Sequence, residues 1–491
     1  MYSILNIPFI NGVAKKAINF TNTIRYKTDV VKTIHKFQDI TYSDSILAYN
    51  KNRDFVYNKL ICLAPATSLY FNIHGDILAC CKNTIDKLGN ISTVSIEEAW
   101  NGTARQILLQ KVRNYNLEDG CSFCKVMLLS KNYTAVLAKM YDVPFPVYNN
   151  KFPTDITLEI SNTCNLECIM CMGDYSSSIR KNREQLPPIR FSYPSNFVQQ
   201  LQPFLLNLKT LRLQGGEPFL INVYLEILDF LLKNNPKCRV YIQTNGTVFN
   251  NRVKNILELS KNIHLSISID SLKEMRYEYI RKNARFKNII ANIHSFKEAC
   301  SKNKTSININ FCLMNNNWME LPTLFEFCYK NSFNLNIIPV DNPPIYSLSN
   351  LGLDQLVKVY NFLNLEISIQ YRNSYLSIYN SVINYLDSLR KHAEDNDKLI
   401  AHYMCKDVNE LYELIKCNLV DFLPRDNIEY IISIYKHDLA TLDTQNIKYI
   451  LAKTIQNNLV IVTGDKMMDY YNEQFTRELI RYFKFEIGNL I

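Results

Sequence analysis

Three cysteines spaced C-x3-C-x2-C, Cys164, Cys168 and Cys171 in CNLECIMC, carry the plainest chemistry in this chain. Three thiolates on one tight loop can ligate three irons of a cubane and leave the fourth iron open, whereas a fourth thiolate would close it. A zinc ion completed by a distant fourth ligand has the same local spacing. Two further cysteine groups lie upstream: Cys62 with Cys80 and Cys81, and Cys121 with Cys124. Together they would make a closed four-thiolate site, for which a zinc ribbon and an iron–sulfur cluster are both open on spacing. Cys80 is preferred over Cys81 because it keeps a Gly-x4-Cys interval from Gly75.

The elements that must position these residues can be read from periodicity. Strand candidates are 156–161, 208–214, 240–245, 264–270, 307–314 and 334–340, with helical runs such as 223–234 and 317–331 between them. Alternating strands and helices predict a parallel sheet, and we expect a partial (β/α)6 TIM-like barrel. One face of the strands is apolar (Ile156, Leu158, Leu211, Leu265, Ile309) and packs on helices. The other is polar (Thr157, Glu159, Arg212, Ser266, Ser268, Asp270, Asn310, Cys312) and lines the lumen. An ordinary eight-stranded barrel fills its interior with branched apolar side chains, so this lumen predicts a partly open barrel with a polar ligand. Glu159 and Arg212 are expected to pair there, because unpaired buried charges are costly. The cysteine loop follows the first strand at the C-terminal end, where such folds place ligands. The expected division is an N-terminal segment of unassigned role (1–55), a small α+β cysteine module (56–130), a proline-rich linker (131–153), the barrel (154–345) and a mostly helical region (346–491) with one possible strand at 458–464.

The 491 residues suffice for two or three domains. A net charge of +9 is mild and well interspersed, which argues against a nucleic-acid partner. The first twenty residues lack a basic region and a small-residue cleavage site, and no run of about 18 apolar residues is present, so neither a signal peptide nor a membrane span is expected. With secretion unsupported, 14 cysteines suit a reducing, cytoplasmic compartment. Cys238, Cys300, Cys328, Cys405 and Cys417 stand singly and read as core or chance. Cys312, on the lumen face, is a weak candidate hydrogen-atom donor.

Taken in order, CNLECIMC, QGGEPFL (214–220), QTNG (243–246) and SISID (266–270), each at a strand end, resemble the radical S-adenosylmethionine (SAM) superfamily across about 154–345. The resemblance implies a site-differentiated [4Fe–4S] cluster on Cys164, Cys168 and Cys171. It implies cosubstrate contacts from Gly215, Gly216, Glu217, Pro218, Asn245, Ser268 and Asp270, with Arg281 toward the carboxylate. Met170 stands where the family usually has an aromatic beside adenine. The family cleaves SAM reductively to a 5′-deoxyadenosyl radical that abstracts hydrogen from substrate. Residues 62–124, through CLAP, HGDILAC, LGNI and EEAW, are similar to the SPASM/Twitch module, whose four-cysteine version implies one auxiliary [4Fe–4S] cluster on Cys62, Cys80, Cys121 and Cys124. That module normally follows the barrel and here precedes it. The resemblance implies a peptide or protein substrate (a maturase), with a small polar metabolite such as an aminosugar or cyclitol as the alternative, and a flavodoxin- or ferredoxin-type electron donor. A non-catalytic iron–sulfur or zinc binding partner is the reading from outside catalysis.

Overall fold

The computed structural model describes residues 42–51, 53, 60–129, 131–142, 151–303, 305–341, 343–419, 425–440 and 442–461. Nine strands form one sheet in the order β3-β2-β1-β4-β5-β6-β7-β8-β9. They are β1 Ser68–Phe71, β2 Asp76–Leu78, β3 Gly89–Asn90, β4 Asp155–Leu158, β5 Thr210–Leu213, β6 Arg239–Thr244, β7 Ile263–Ser268, β8 Ile307–Leu313 and β9 Asn334–Pro339. From β4 to β9 every neighbouring pair is parallel, as the alternating strand–helix pattern requires. This is a partial barrel: its helices cover the outer face, where Ile156, Leu158, Leu211, Leu213, Leu265, Ile267 and Ile309 are buried.

Local chemistry sets the element ends. The helix Asn251–Leu259 starts where the Asn250 side chain accepts from the Val253 N–H. The helix Leu321–Asn331 has proline in its first turn and ends at Ser332 in the left-handed region, φ 58°.

The N-terminal module joins the same sheet. Its β1 runs parallel to β4, pairing Ser68 with Asp155 and Phe71 with Leu158, and β2 returns antiparallel. The turn between them is an Asx turn: Asn72 Oδ1 accepts from the N–H groups of His74 and Asp76, both at 2.9 Å, and Gly75 takes φ +78°. In the helix Ile96–Asn101 a capping box joins Ser95 and Glu98, the S-x-x-E signature in TVSIEEAW.

Two expectations are corrected. Part of the predicted linker is built into the module, since Val136, Ala138 and Tyr141 are buried there, while 143–150 lie outside the described residues. The strand expected at 458–464 is not formed: 458–461 continue the helix Thr444–Ile461, and 462–464 lie outside the described residues. The helical spacing of Ile447, Ile450, Leu451 and Ile455 leads into that run, and context overrides propensity.

The C-terminal helices are divided between two cores. Leu353–Glu366 and the N-terminal half of Leu376–Met404 pack on the barrel core through Leu356, Val359, Val382 and Leu386. Leu411, Ile415, Ile431, Tyr435 and Leu451 form a second core. Among the described residues no helix is long and apolar enough to cross a membrane.

Candidate iron–sulfur and cosubstrate sites

The cysteine loop leaves β4 at Leu158 and is pinned from several sides. Ser176 Oγ donates to the Leu166 carbonyl at 2.7 Å and Ser178 Oγ to that of Cys164 at 2.9 Å. Arg183 donates to the carbonyls of Cys168, at 3.1 Å, and Cys171. The N–H groups of Glu167 and Ile169 donate to the carbonyls of Lys282 and Ile280, at 3.0 and 2.9 Å. Burial pushes the Cys168 thiol up to about 11 and the Cys171 thiol to about 12, the latter helped by Cys168 beside it. Without metal these groups are neutral thiols, and ligation must displace their protons.

GGEP is the turn that touches this loop. Gly215 and Gly216 have φ +78° and +49°, where side chains are disfavoured. A Cβ on Gly215 would come within 2.8 Å of the Ser161 carbonyl oxygen, and one on Gly216 would overlap that of Thr163, the residue before Cys164. The Glu217 N–H donates to the same Thr163 carbonyl at 2.7 Å. The Glu217 side chain is fully buried and accepts from Thr244 Oγ1 (2.6 Å), the Asn245 N–H (2.7 Å) and the Phe219 N–H (3.2 Å). It thus fastens GGEP to the end of β6, a structural duty the sequence did not reveal. Pro218 opens a short 3-10 turn behind it. Asn245 reaches the cluster loop, donating to Cys164 Sγ at 3.8 Å and Asn165 Oδ1 at 3.0 Å.

Ser268, the last residue of β7, is buried, and Asp270 just past it fully so. Asp270 forms a buried ion pair with Arg281, Nη2 to Oδ2 at 2.7 Å, and accepts from the Cys312 N–H at 2.8 Å. Arg281 Nη1 lies 3.9 Å from Cys168 Sγ. Burial works against the Arg281 charge, and Asp270, with smaller contributions from Cys168, Tyr277 and Cys312, more than offsets it. Burial also pushes the Asp270 carboxyl up, against the pull of Arg281. Among the described residues Arg281 Nε and the Tyr277 hydroxyl are buried without hydrogen-bond partners. An orphaned N–H on the guanidinium whose Nη1 reaches Cys168 fits the approach of a ligand carboxylate.

Glu159 and Arg212 do not pair as expected. Arg212 pairs with Asp155 and lies over the Tyr241 ring, 5.6 Å from its centre, with Tyr241 stacked on His264. Glu159 accepts instead from the Tyr70 hydroxyl at 2.5 Å. The partner comes from the module's β1, whose place beside β4 has no signal in the periodicity or motifs.

The four module cysteines are brought together. Cys62, Cys80, Cys121 and Cys124 line one cavity, walled also by Leu128, Val136, Ala138 and Tyr141. Cys81 is absent from the lining, in keeping with the choice of Cys80. The Ala64 N–H and Asn83 Nδ2 each donate to a sulfur, Cys62 and Cys121 respectively, at 3.4 Å. Burial pushes the Cys124 thiol up to about 12, with Cys80 adding to it. The thiols are spread around the wall: among the described residues no three His, Cys, Asp or Glu side chains gather as they would around a single metal ion. Of the remaining cysteines, Cys238, Cys300 and Cys328 are buried, Cys405 and Cys417 exposed, and Cys312 half-buried.

Comparison with known proteins decides what this arrangement is. Residues 158–328 match the model of the Radical SAM superfamily. This is a radical SAM domain. Residues 62–125 match the SPASM iron–sulfur cluster-binding domain, so here a SPASM module precedes a radical SAM domain. The cofactors are therefore a [4Fe–4S] cluster with SAM in the barrel and an iron–sulfur cluster in the module. Curated relatives include a probable GTP 3′,8-cyclase of Methanocaldococcus jannaschii, 26% identical over 173 residues (35% of this chain, 54% of the relative), and a GTP 3′,8-cyclase of Clostridium perfringens, 26% identical over 187 residues (37% and 54%). The chain spans about half the length of these relatives. Among solved structures, anSMEcpe with bound AdoMet aligns at TM-score 0.34 and 20% identity, over 43% of this chain and 57% of that one. Streptococcus suis SuiB bound to precursor peptide SuiA aligns at 0.33 and 15%, over 56% and 65%.

Proposed function

We propose that this radical SAM protein is an enzyme that cleaves SAM at a cluster held by Cys164, Cys168 and Cys171 and abstracts hydrogen from a substrate in the polar lumen. When bound, the cluster and SAM supply a 5′-deoxyadenosyl radical. The chain's own residues position them: the backbone of Gly215 and Gly216 allows close approach, Asn245 steadies Cys164, and Arg281, oriented by Asp270, offers Nε–H to the cosubstrate carboxylate. Ser268 and Pro218 complete the contact set. The observation that carries this reading is Arg281, which reaches Cys168 Sγ through Nη1 and has a buried Nε without a partner, at the strand ends that also hold GGEP. In the module, Cys62, Cys80, Cys121 and Cys124 hold an auxiliary [4Fe–4S] cluster, and their spread around a cavity supports a cluster over a zinc ion. Four thiolates leave no open iron, so electron transfer is its role, with a flavodoxin- or ferredoxin-type protein as donor.

For the substrate we favour a peptide or protein, on the strength of the SPASM module. The amide- and hydroxyl-lined lumen, with Ser266, Asn308, Asn310 and Asn336 side by side on β7 to β9, supports a second reading, a small polar metabolite.

Anaerobic reconstitution should give about eight irons per chain if both sites hold cubanes, and dithionite with SAM should release 5′-deoxyadenosine. Replacing Cys164, Cys168 and Cys171 by Ala should abolish release and leave the auxiliary signal. Full iron content without any SAM cleavage would overturn the enzyme reading in favour of a non-catalytic iron–sulfur protein. Cleavage that survives the triple change would overturn the site.

A further inference from the structure

Behind the lining of the auxiliary cavity lies a layer of structure outside the SPASM match. The helix Tyr42–Lys51 packs against Ser122–Leu129, the helix that carries Cys124. Just past it, Arg53 is almost fully buried and ties together two stretches of the cavity's surroundings. Its Nη1 donates to the Leu60 carbonyl at 2.8 Å, two residues before Cys62. Its other nitrogens form a two-pronged ion pair with Asp142, Nε to Oδ2 at 2.9 Å, and Asp142 directly follows the lining residue Tyr141. Arg53 also lies over the Tyr49 ring, 5.3 Å from its centre. Tyr49 is fully buried, and among the described residues its hydroxyl has no hydrogen-bond partner. A buried donor left unpaired is costly; among the described residues no protein sulfur accepts from this one, and a sulfide of a bound cluster would be an acceptor for it.

We propose that Tyr42–Lys51 and Arg53 form the layer that backs the auxiliary cluster site, and that the Arg53–Asp142 pair and the Tyr49 hydroxyl set that cluster's reduction potential. The inference rests on the reading that the four module cysteines hold an iron–sulfur cluster. Hydrogen bonds and net charge near the sulfurs govern such potentials. The ion pair is close to neutral as a whole, so removing one partner unmasks the other. Arg53→Met leaves a buried anion and disfavours the added electron. Asp142→Asn leaves a buried cation and favours it. A residue that merely holds the layer together would give no such opposition in sign.

The test is an EPR-monitored redox titration of the full-length chain with Cys164, Cys168 and Cys171 replaced by Ala, so that only the auxiliary cluster reports. At the parent midpoint, the reduced-to-oxidised ratio should fall by about threefold or more in Arg53→Met and rise similarly in Asp142→Asn. A tenfold change corresponds to 59 mV for one electron. Arg53→Met/Asp142→Asn should return toward the parent. Shifts of one sign, or none, in variants with undiminished iron would overturn the proposal. If the charge variants fail to retain iron, Tyr49→Phe carries the test, with a lowered potential expected and an unchanged one overturning it. Iron content separates this from failure of the underlying reading: if replacing Cys62, Cys80, Cys121 and Cys124 by Ala removes no iron, the cluster assignment itself is wrong.

Discussion

Asp270→Asn isolates a single charge at the heart of the proposed cosubstrate site. The amide keeps an oxygen to accept from the Cys312 N–H, so the change strips the carboxylate charge and little else. What it leaves is the Arg281 guanidinium, whose side chain is 6% exposed, without its counter-ion. Guanidinium does not give up its proton in proteins, so it cannot escape by neutralising. Breaking a buried pair from one side costs about 3–5 kcal/mol. At about 1.4 kcal/mol per decade that is a hundred- to several-thousand-fold loss of local stability. With two cores in the chain a single unfolding free energy is poorly defined, so local amide exchange is the suitable assay. Peptides covering 263–283 and 307–318 should lose about two decades or more of protection in the metal-free protein, while those of the second core at 408–455 stay unchanged.

The partner change behaves differently. Arg281→Met leaves an Asp270 whose carboxyl burial already pushes up, and that group can take a proton. Its sign follows from the raised value: the protonated form contributes stability fully below the usual aspartate range and loses it as pH rises through the folded pKa. The cost of Arg281→Met should therefore shrink as pH falls, while that of Asp270→Asn should not. The double change removes both charges and should recover to within about 1 kcal/mol of wild type, as replaced buried pairs often do. Protection within about threefold of wild type in Asp270→Asn, or a double variant as loose as the single, would refute this account.

Three further outcomes are expected. Gly216→Ala forces a side chain into positive φ, at about 1–2 kcal/mol, and drives its Cβ onto the Thr163 carbonyl. SAM affinity of the reconstituted protein, read by calorimetry, should fall at least about tenfold, the equivalent of 1.4 kcal/mol. Glu217→Ala strands the buried N–H groups of Phe219 and Asn245, each worth about 1–3 kcal/mol, and should lower the thermal midpoint of the metal-free chain in differential scanning fluorimetry. Glu159 is raised by burial against the Tyr70 hydrogen bond, so its contribution to stability is complete below about 4.5 and is lost as pH rises through its raised value. Glu159→Gln should accordingly gain stability relative to wild type between pH 4.5 and 7 in denaturant titrations.

The barrel was legible because its strands alternate strictly and its motifs fall at strand ends, so every strand from β4 to β9 was found within a few residues. The two cysteine sets were legible because sulfur chemistry constrains spacing. What escaped were contacts between segments far apart in sequence. Arg212 stands in register with Thr157, which leaves Asp155 and Glu159 as its two diagonal neighbours. Periodicity could not choose between them, since the choice depends on Tyr70 claiming Glu159 from another module. Glu217 was expected to face a ligand, but the Thr244 hydroxyl and two N–H groups occupy its carboxylate. Residues 136–142 looked like linker because prolines follow, yet Val136, Ala138 and Tyr141 follow an apolar pattern and wall the auxiliary cavity.

The module's unusual place ahead of the barrel has a physical resolution in the sheet. Parallel neighbours need a long crossover, because a tight turn can only reverse the chain. β1 and β4 are parallel neighbours, and residues 72–154 connect them. The module is largely that crossover: β2, β3, the helices through Leu129 and three of the four cavity cysteines lie within it, with Cys62 just before β1. It is threaded into the barrel's own sheet, with Tyr70 on Glu159 as the side-chain counterpart of the β1–β4 ladder. The auxiliary site is closed by residues on both sides of that ladder strand, so assembly of its cluster and pairing of the barrel's first edge draw on the same folding free energy. Order along the chain matters less than which strand edge the module completes, and here it completes the edge beside the loop that bears Cys164, Cys168 and Cys171.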